Sequence, residues 1–277
     1  MKYRIDTHMH TTASDGTLNP QELLNEINKK NIKVFSITDH DTIANIDEMI
    51  ELTKDSDVIF IPGVELSVTY MGKEIHLLTY SSKINSKNEG IMKVINENRI
   101  LRGQFEDKYM AFVSNKFKFE LEEYKSYKRD PKEGGWKAFS YLKEKGIVST
   151  IQEIIALIRE SGIPFLFKQP KEILPTLKEL GLLVVLAHPP AYFKGEQLSK
   201  DFLDYFKLLG IDGIECYSPY YNDQSEALYY TEYCKENGLL IMSGSDYHGS
   251  FTPSRKLGVP ERSISEKSLQ KLLAMIK

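Results

Sequence analysis

Cysteine is scarce in this chain: among 277 residues there are only Cys216 and Cys234. Neither belongs to a close Cys pair, which removes zinc-finger and Cys-x-x-Cys redox chemistry from consideration. Two reduced, partly buried thiols of a cytoplasmic protein are the expectation. An excess of one charge is also lacking. Lys and Arg number 36 against 39 Asp and Glu, a formal net charge of -3. That excludes bulk binding of long nucleic acid through charge, although a local phosphate pocket stays open. No apolar run approaches the length of a membrane span. The opening MKYRIDTHMH has no long apolar stretch behind its Lys and reads as a strand, not a signal peptide. Repeats and low-complexity tracts are absent. What remains is a chain that is 41% hydrophobic, long enough for one large domain with a core, or one domain carrying a small insertion.

Short apolar runs alternate with helical patterns in the first part of the chain. Tyr3 to Thr7 reads as a strand, followed by Val34 to Thr38, Val58 to Ile61 and Ile75 to Tyr80. Asn19-Pro20-Gln21-Glu22 opens a helix, with Asn as N-cap, Pro at the first helical position and Glu reaching back. Leu23, Leu24 and Ile27 give it an apolar stripe. From about 88 to 180 the alternation stops, and the pattern is helical, rich in Lys, Glu and aromatics. Arg129-Asp130-Pro131 and Gly134-Gly135 mark a loop there. Strands return at Leu182 to Leu186, Ile211 to Cys216 and Leu239 to Met242. Alternating strands and helices imply a parallel sheet with covered faces. Seven such strands suit an α/β barrel interrupted by helices; an open doubly wound sheet fits the same pattern.

The six histidines are unevenly placed. His8, His10, His40, His188 and His248 fall at or just past the C-terminal end of an expected strand, while His76 falls near the start of its own. That end of a β/α barrel carries the active site. Acids accompany them: Asp6, Asp15, Asp39, Asp41, Glu65 and Asp246. In Asp6-Thr7-His8-Met9-His10, strand alternation puts positions 6, 8 and 10 on one face. Two imidazoles so spaced can chelate an ion, and imidazole with carboxylate suits Zn, Mn or Fe. Taken alone, His-x-His is a weak signal. Added to it are Asp39-His40-Asp41, Gly63-Val64-Glu65, Ala187-His188-Pro189-Pro190 and Asp246-Tyr247-His248, each after a strand. A histidine complement gathered with acids at strand junctions points to a multinuclear metal site.

Those residues, in that order and together with Ser14-Asp15-Gly16 and His76, resemble the PHP family (polymerase and histidinol phosphatase), and within it the TrpH-like branch of metal-dependent phosphoesterases. The resemblance implies a distorted seven-stranded (β/α)7 barrel in two parts, residues 1–90 and 179–277, around a helical insertion, residues 91–178. It implies two or three divalent transition-metal ions (Mn, Fe or Zn). His8, His10, Glu65 and Asp246 would hold the first; Glu65, His76 and His188 the second, with Glu65 bridging; Asp15, His40 and His248 the third. Asp15 occupies a place that is His in some relatives. The middle of the chain departs from the pattern. Relatives carry an Arg-Pro-His-like element that helps bind substrate, but here no histidine occurs between His76 and His188. The corresponding stretch is Lys128 to Lys137.

Ions within bridging distance neutralise phosphate charge and lower the pKa of bound water, so hydroxide is the expected nucleophile, with Asp246 a candidate proton relay. Asp6, Asp39 and Asp41 read as groups that orient the ligands. Arg129, Lys132, Trp136 and Arg255 are the candidates for holding the rest of a phosphorylated substrate, with Arg99, Arg102, Lys137 and Lys168 further cations in reach of the same reading. The expected reaction is hydrolysis of a phosphomonoester on a 3′,5′-bisphosphate nucleotide or a short 5′-phosphorylated RNA. A phosphatase for histidinol phosphate or a sugar phosphate, and a metal-binding module without catalysis, are the alternatives. No membrane partner is expected.

Overall fold

The first helix forms as its sequence demands. In the computed structural model, which describes residues 1–193, 196–221 and 224–277, α1 (Pro20–Lys29) is capped by Asn19, whose side chain accepts from Glu22 N at 2.9 Å while the Glu22 carboxylate accepts from Asn19 N at 2.9 Å. Leu23, Leu24 and Ile27 are buried as the periodicity requires. It follows β1 (Lys2–Asp6) and precedes β2 (Val34–Phe35), α2 (Ile46–Thr53) and β3 (Ile59–Phe60).

Two further strands are long and form a hairpin: β4 (Gly63–Tyr70) and β5 (Lys73–Tyr80). The first was expected only as a loop after a strand. Its Val64, Leu66 and Val68 alternate inward and are buried in the main core. Met71 (φ 50°) and Gly72 (φ 70°) make the two-residue turn, with both central positions in the left-handed region that such hairpins require. Because β5 is antiparallel to its neighbours β4 and β6, its early residues lie where parallel strands end. This is why His76, the outlier among the histidines, still reaches the site.

After the hairpin come α3 (Glu89–Phe117), α4 (Leu121–Ser126), α5 (Lys137–Glu144), α6 (Ile151–Ser161) and α7 (Pro170–Glu179). The helical stretch divides physically. Ile91, Val94 and Ile95 at the start of α3, and Ile173, Leu174 and Leu177 of α7, belong to the main core. Phe105 to Val113 of α3 pack instead with Tyr124, Phe139, Leu142, Ile154 and Leu157 in a separate core. The remaining elements are β6 (Leu183–Leu186), α8 (Lys200–Leu208), β7 (Gly213–Tyr217), α9 (Gln224–Asn237), β8 (Leu240–Ser243), β9 (Arg262–Ser265) and α10 (Glu266–Met275).

The seven expected strands are nine among the described residues, in two sheets ordered β3-β2-β1-β9 and β4-β5-β6-β7-β8. Pairing is mixed, not all parallel: β1 to β9, β4 to β5 and β5 to β6 are antiparallel. The ladders do not close into one ring. Two single bridges, Met9 with Tyr247 and His40 with Glu65, tie the sheets together just past the strand ends. At the point where regular pairing gives out, side chains converge instead.

Candidate metal centre

Glu65, in β4, is fully buried, and five imidazole nitrogens surround its carboxylate. His8 Nε2, His10 Nε2 and His40 Nδ1 lie 3.1, 3.2 and 3.2 Å from Oε2. His76 Nδ1 and His188 Nε2 each lie 3.0 Å from Oε1. His76 is the diagonal cross-strand neighbour of Glu65, through the pairing of Ser67 with His76. Asp246 Oδ1 closes the group on the other side, 3.3 Å from His8 Nε2 and 3.1 Å from His10 Nε2. A further group is offset from these: Asp15 Oδ2 lies 3.2 Å from His248 Nε2 and 3.8 Å from His40 Nε2, and Asp15 Oδ1 is 3.4 Å from His10 Nδ1.

Ligand atoms thus gather in three sets, His8 with His10, Glu65 and Asp246; His40 with Glu65 and His76; and His10 with Asp15, His40 and His248. All nine residues expected as ligands are brought together, His188 through Glu65 and through His76, whose Nδ1 is 3.4 Å from His188 Nε2. A carboxylate oxygen has two lone pairs, so Oε2 of Glu65 cannot accept well from three imidazoles at once. His8 Nε2 and His10 Nε2 also face each other at 3.2 Å. Separations of about 3–3.5 Å suit atoms sharing an ion at about 2.0–2.2 Å, and the His/Asp/Glu sets are able to hold metal ions.

The charges follow from this crowding. Burial works against protonated His10, but Asp246, Glu65 and Asp15 outweigh it and push its pKa up to about 10. Burial likewise opposes protonation of His76, and Glu65 and Glu74 carry it to about 10. Burial takes His40 down to about 3, against the pull of Glu65 and Asp15 and with the help of His10 and His76. Burial would raise Glu65, Asp15 and Asp246, yet neighbouring imidazoles, and Arg255 for Asp246, hold all three well below the ordinary carboxylate range.

The acids expected to orient the ligands act mainly through backbone and intermediaries. Asp6 accepts from Ser245 N at 2.9 Å and Gly258 N at 2.8 Å, clasping the loop after β8. Asp39 accepts from Thr11 N at 2.8 Å and from Ser14 Oγ at 2.6 Å; that hydroxyl lies 3.3 Å from His10 Nδ1. Asp41 takes both Nε and Nη2 of Arg102, at 3.0 and 2.6 Å. The same guanidinium donates to Glu74 at 3.0 Å, and Glu74 faces His76 Nε2 at 3.4 Å. Arg102 is therefore spent in a relay that aims His76, not free for phosphate. Asp41, His188 and Asp246 all have positive φ, at 48°, 21° and 46°. Half of the described non-glycine residues with this strained backbone thus sit in the site.

Three supporting residues escaped the sequence reading. Glu215, at 0% exposure, lies 3.0 Å from His8 Nδ1 and accepts from His188 N at 2.7 Å. Holding the proton on Nδ1 leaves the His8 Nε2 lone pair for the cluster. Its signal was legible: a carboxylate between Ile214 and Cys216 in the expected strand Ile211 to Cys216. Glu74 in the hairpin and Tyr220, whose hydroxyl donates to Asp246 Oδ2 at 2.7 Å, carried no comparable pattern. Gly244 is required for close approach, since a Cβ there would lie 2.1 Å from His8 Cβ and 2.4 Å from Glu215 Oε1.

The candidate substrate groups divide. Arg255 is at the site: Nη1 donates to Asp246 Oδ2 at 2.6 Å, with the guanidinium 4.8 Å from the Tyr220 ring. Arg129 is engaged elsewhere. It donates to the carbonyls of Gly135 and Ser14, the latter at 2.8 Å, and so fastens the insertion to the loop bearing Asp15. Lys132 is paired with Glu22 of α1. Trp136 packs on the insertion core beside Phe139, ring centroids 5.4 Å apart. Lys137 donates to Lys125 O, and Lys168 pairs with Glu97. The Gly134-Gly135 loop is not slack. Both have φ near 70°, Gly135 N donates to Asp15 O at 2.8 Å, and a Cβ on Gly134 would lie 2.5 Å from Phe251 Cβ.

The chain is 29% identical over 272 residues to a 5′-3′ exoribonuclease of Haemophilus influenzae, covering 90% of this chain and 91% of that one. It is 23% identical over 267 residues to a 3′,5′-nucleoside bisphosphate phosphatase of Chromobacterium violaceum, covering 93% and 91%. A solved structure from Bifidobacterium adolescentis, assigned as a metal-dependent phosphoesterase, superposes with a TM-score of 0.81 at 23% identity, covering 98% of this chain and 96% of that one, and shares the fold. The model of the PHP domain matches residues 6–179, more than half of the sequence, and the chain belongs to the PHP domain family.

Proposed function

We propose that this chain is a metal-dependent phosphoesterase that hydrolyses a phosphomonoester on a nucleotide, of the 3′,5′-bisphosphate type, or on a short 5′-phosphorylated oligonucleotide. The observation that carries this is the convergence of five imidazole nitrogens on the two oxygens of Glu65. In this reading His8, His10, Glu65 and Asp246 hold one ion, Glu65, His76 and His188 a second, and Asp15, His40 and His248 a third. Bound divalent ions of the Mn, Fe or Zn kind would neutralise phosphate charge and activate water. Residues 91–178 then form an insertion between the two parts of the metal-binding domain, 1–90 and 179–277.

The chain's own residues determine what such ions meet. His40, held neutral by burial, is a ready ligand. Arg255 neutralises the outer oxygen of Asp246 and keeps it ionised. A carboxylate so stabilised is a weak base, which favours Asp246 as a ligand over the proton relay considered for it. Arg255 also supplies fixed positive charge beside the place a phosphate would occupy. The relatives named for a 5′-3′ exoribonuclease and a 3′,5′-nucleoside bisphosphate phosphatase support the nucleotide class.

The test is a turnover screen with added Mn, Zn or Mg. It would include adenosine 3′,5′-bisphosphate, short 5′-phosphorylated RNA, histidinol phosphate and sugar phosphates. Hydrolysis of the nucleotides well above the others is expected. Preference for histidinol phosphate or a sugar phosphate would overturn the substrate class, and no metal-stimulated hydrolysis would overturn the reaction.

A further inference from the structure

With Arg129 and Lys132 engaged, the substrate beyond its phosphate must be met elsewhere, and a cavity lies next to the metal centre. A cavity of about 330 Å³ opens between α5, the start of α6 and the loop after β8. Phe251 forms part of its wall and also abuts the cluster: its ring centroid is 6.4 Å from that of His248, the residue whose Nε2 lies 3.2 Å from Asp15. Phe139 backs it at 5.6 Å, ring to ring. The Gly134-Gly135 turn presses on Phe251 from the insertion side, which fixes the ring.

The chemistry of the wall selects among ligands. The volume is at the small end of the range for ligand sites, about 300–1,000 Å³, and suits one nucleoside. Lys143 and Glu133, both in the wall, offset each other, so the cavity is not an anion hole. Hydroxyl groups and phenyl rings dominate the remainder. Thr252 also lines the cavity and is only 8% exposed.

We propose that this cavity is a nucleoside subsite, taking the base against Phe251 and a polar edge of base or ribose at the hydroxyl-rich part of the wall, while the attached phosphate lies at the metal centre. This rests on the phosphoesterase reading above and adds to it the part of the substrate that gives selectivity. Specificity here comes from stacking and hydroxyl contacts on α5, α6 and residues 250–254, not from the cations of residues 128–137.

The test compares a nucleoside monophosphate with ribose 5-phosphate, which keeps the sugar and phosphate and lacks the base. In the parent, the ratio of kcat/KM between them favours the nucleotide. Phe251→Leu, which retains bulk but removes the ring, lowers that ratio about 10-fold, the size of one base stacked on an aromatic side chain. A ratio within about two-fold of the parent for Phe251→Leu, with turnover retained, would overturn the subsite and leave the phosphoesterase reading standing. A parent that uses ribose 5-phosphate as well as the nucleotide would do the same. A parent that hydrolyses neither of these, nor adenosine 3′,5′-bisphosphate or short 5′-phosphorylated RNA, with any added metal would overturn the phosphoesterase reading itself.

Discussion

Replacing Glu215 by glutamine keeps its volume and removes its charge. The carboxylate of Glu215 has two separate duties, one at His8 Nδ1 (3.0 Å) and one at His188 N (2.7 Å). An amide oxygen can serve one of these donors; the NH2 group then faces the other, donor against donor. The side chain is fully buried, so water cannot repair the mismatch. Losing one charge-assisted hydrogen bond costs about 1.5–3 kcal/mol. Groups that orient a metal-binding histidine are worth about 10–100-fold in metal affinity, or about 1.4–2.7 kcal/mol. The two estimates overlap near 2 kcal/mol, about 30-fold. The assay is chelator competition for Mn or Zn on parent and variant, with circular dichroism to check that the strands and helices are retained. An affinity within two-fold of the parent, in a folded variant, would refute the claim that Glu215 aims His8.

Other substitutions separate the parts. Glu65→Ala should remove nearly all turnover while the insertion core stays folded, because its carboxylate meets five histidines at once; turnover within a few-fold of the parent would reject its bridging place. Arg129→Ala should lower Tm by roughly 2–6 °C, the loss of charged hydrogen bonds from a partly exposed group, and should reduce turnover of p-nitrophenyl phosphate and of a nucleotide alike; a loss confined to the nucleotide would return Arg129 to substrate recognition. The raised pKa values of His10 and His76, about 10 in each case, set a pH dependence. In the metal-free protein their contribution to stability is complete below about pH 6.5 and is lost as pH rises through 10, while the depressed carboxylates contribute above about pH 4.5 and lose it as pH falls. Ions must displace those protons, so metal affinity should rise between pH 6 and 8; an affinity unchanged over that interval, measured by competition, would contradict the charge assignment.

Much of the site was legible because its signals are local. His8 and His10 share a strand face by simple alternation, and the motifs bearing His40, His188, Asp246 and His248 each mark an expected strand end in their own few residues. The α1 cap was equally local, with both capping hydrogen bonds between Asn19 and Glu22 spanning three residues. What stayed hidden depends on pairing across the chain. The hairpin of β4 and β5 turns the sheet antiparallel, and the short Met71-Gly72 turn gave no warning against an apolar pattern that also suits a loop after a strand. Strand β9 is four residues and exists through its pairing with β1. Arg129 and Lys132 looked like phosphate binders because composition shows charge but not who neutralises it. Their partners, Ser14, Gly135 and Glu22, include residues more than a hundred positions away. Glu215 was overlooked for the converse reason: an acid between apolar strand residues looks like an exception until His8 is seen beside it.

The central claim is that the sets of ligand atoms around Glu65 and Asp15 hold metal. Elemental analysis of the purified protein, after growth with Mn, Fe and Zn supplied, tests it most directly. Two or three transition-metal ions per chain are predicted, falling when Glu65 is replaced by alanine. One ion or none would contradict the account.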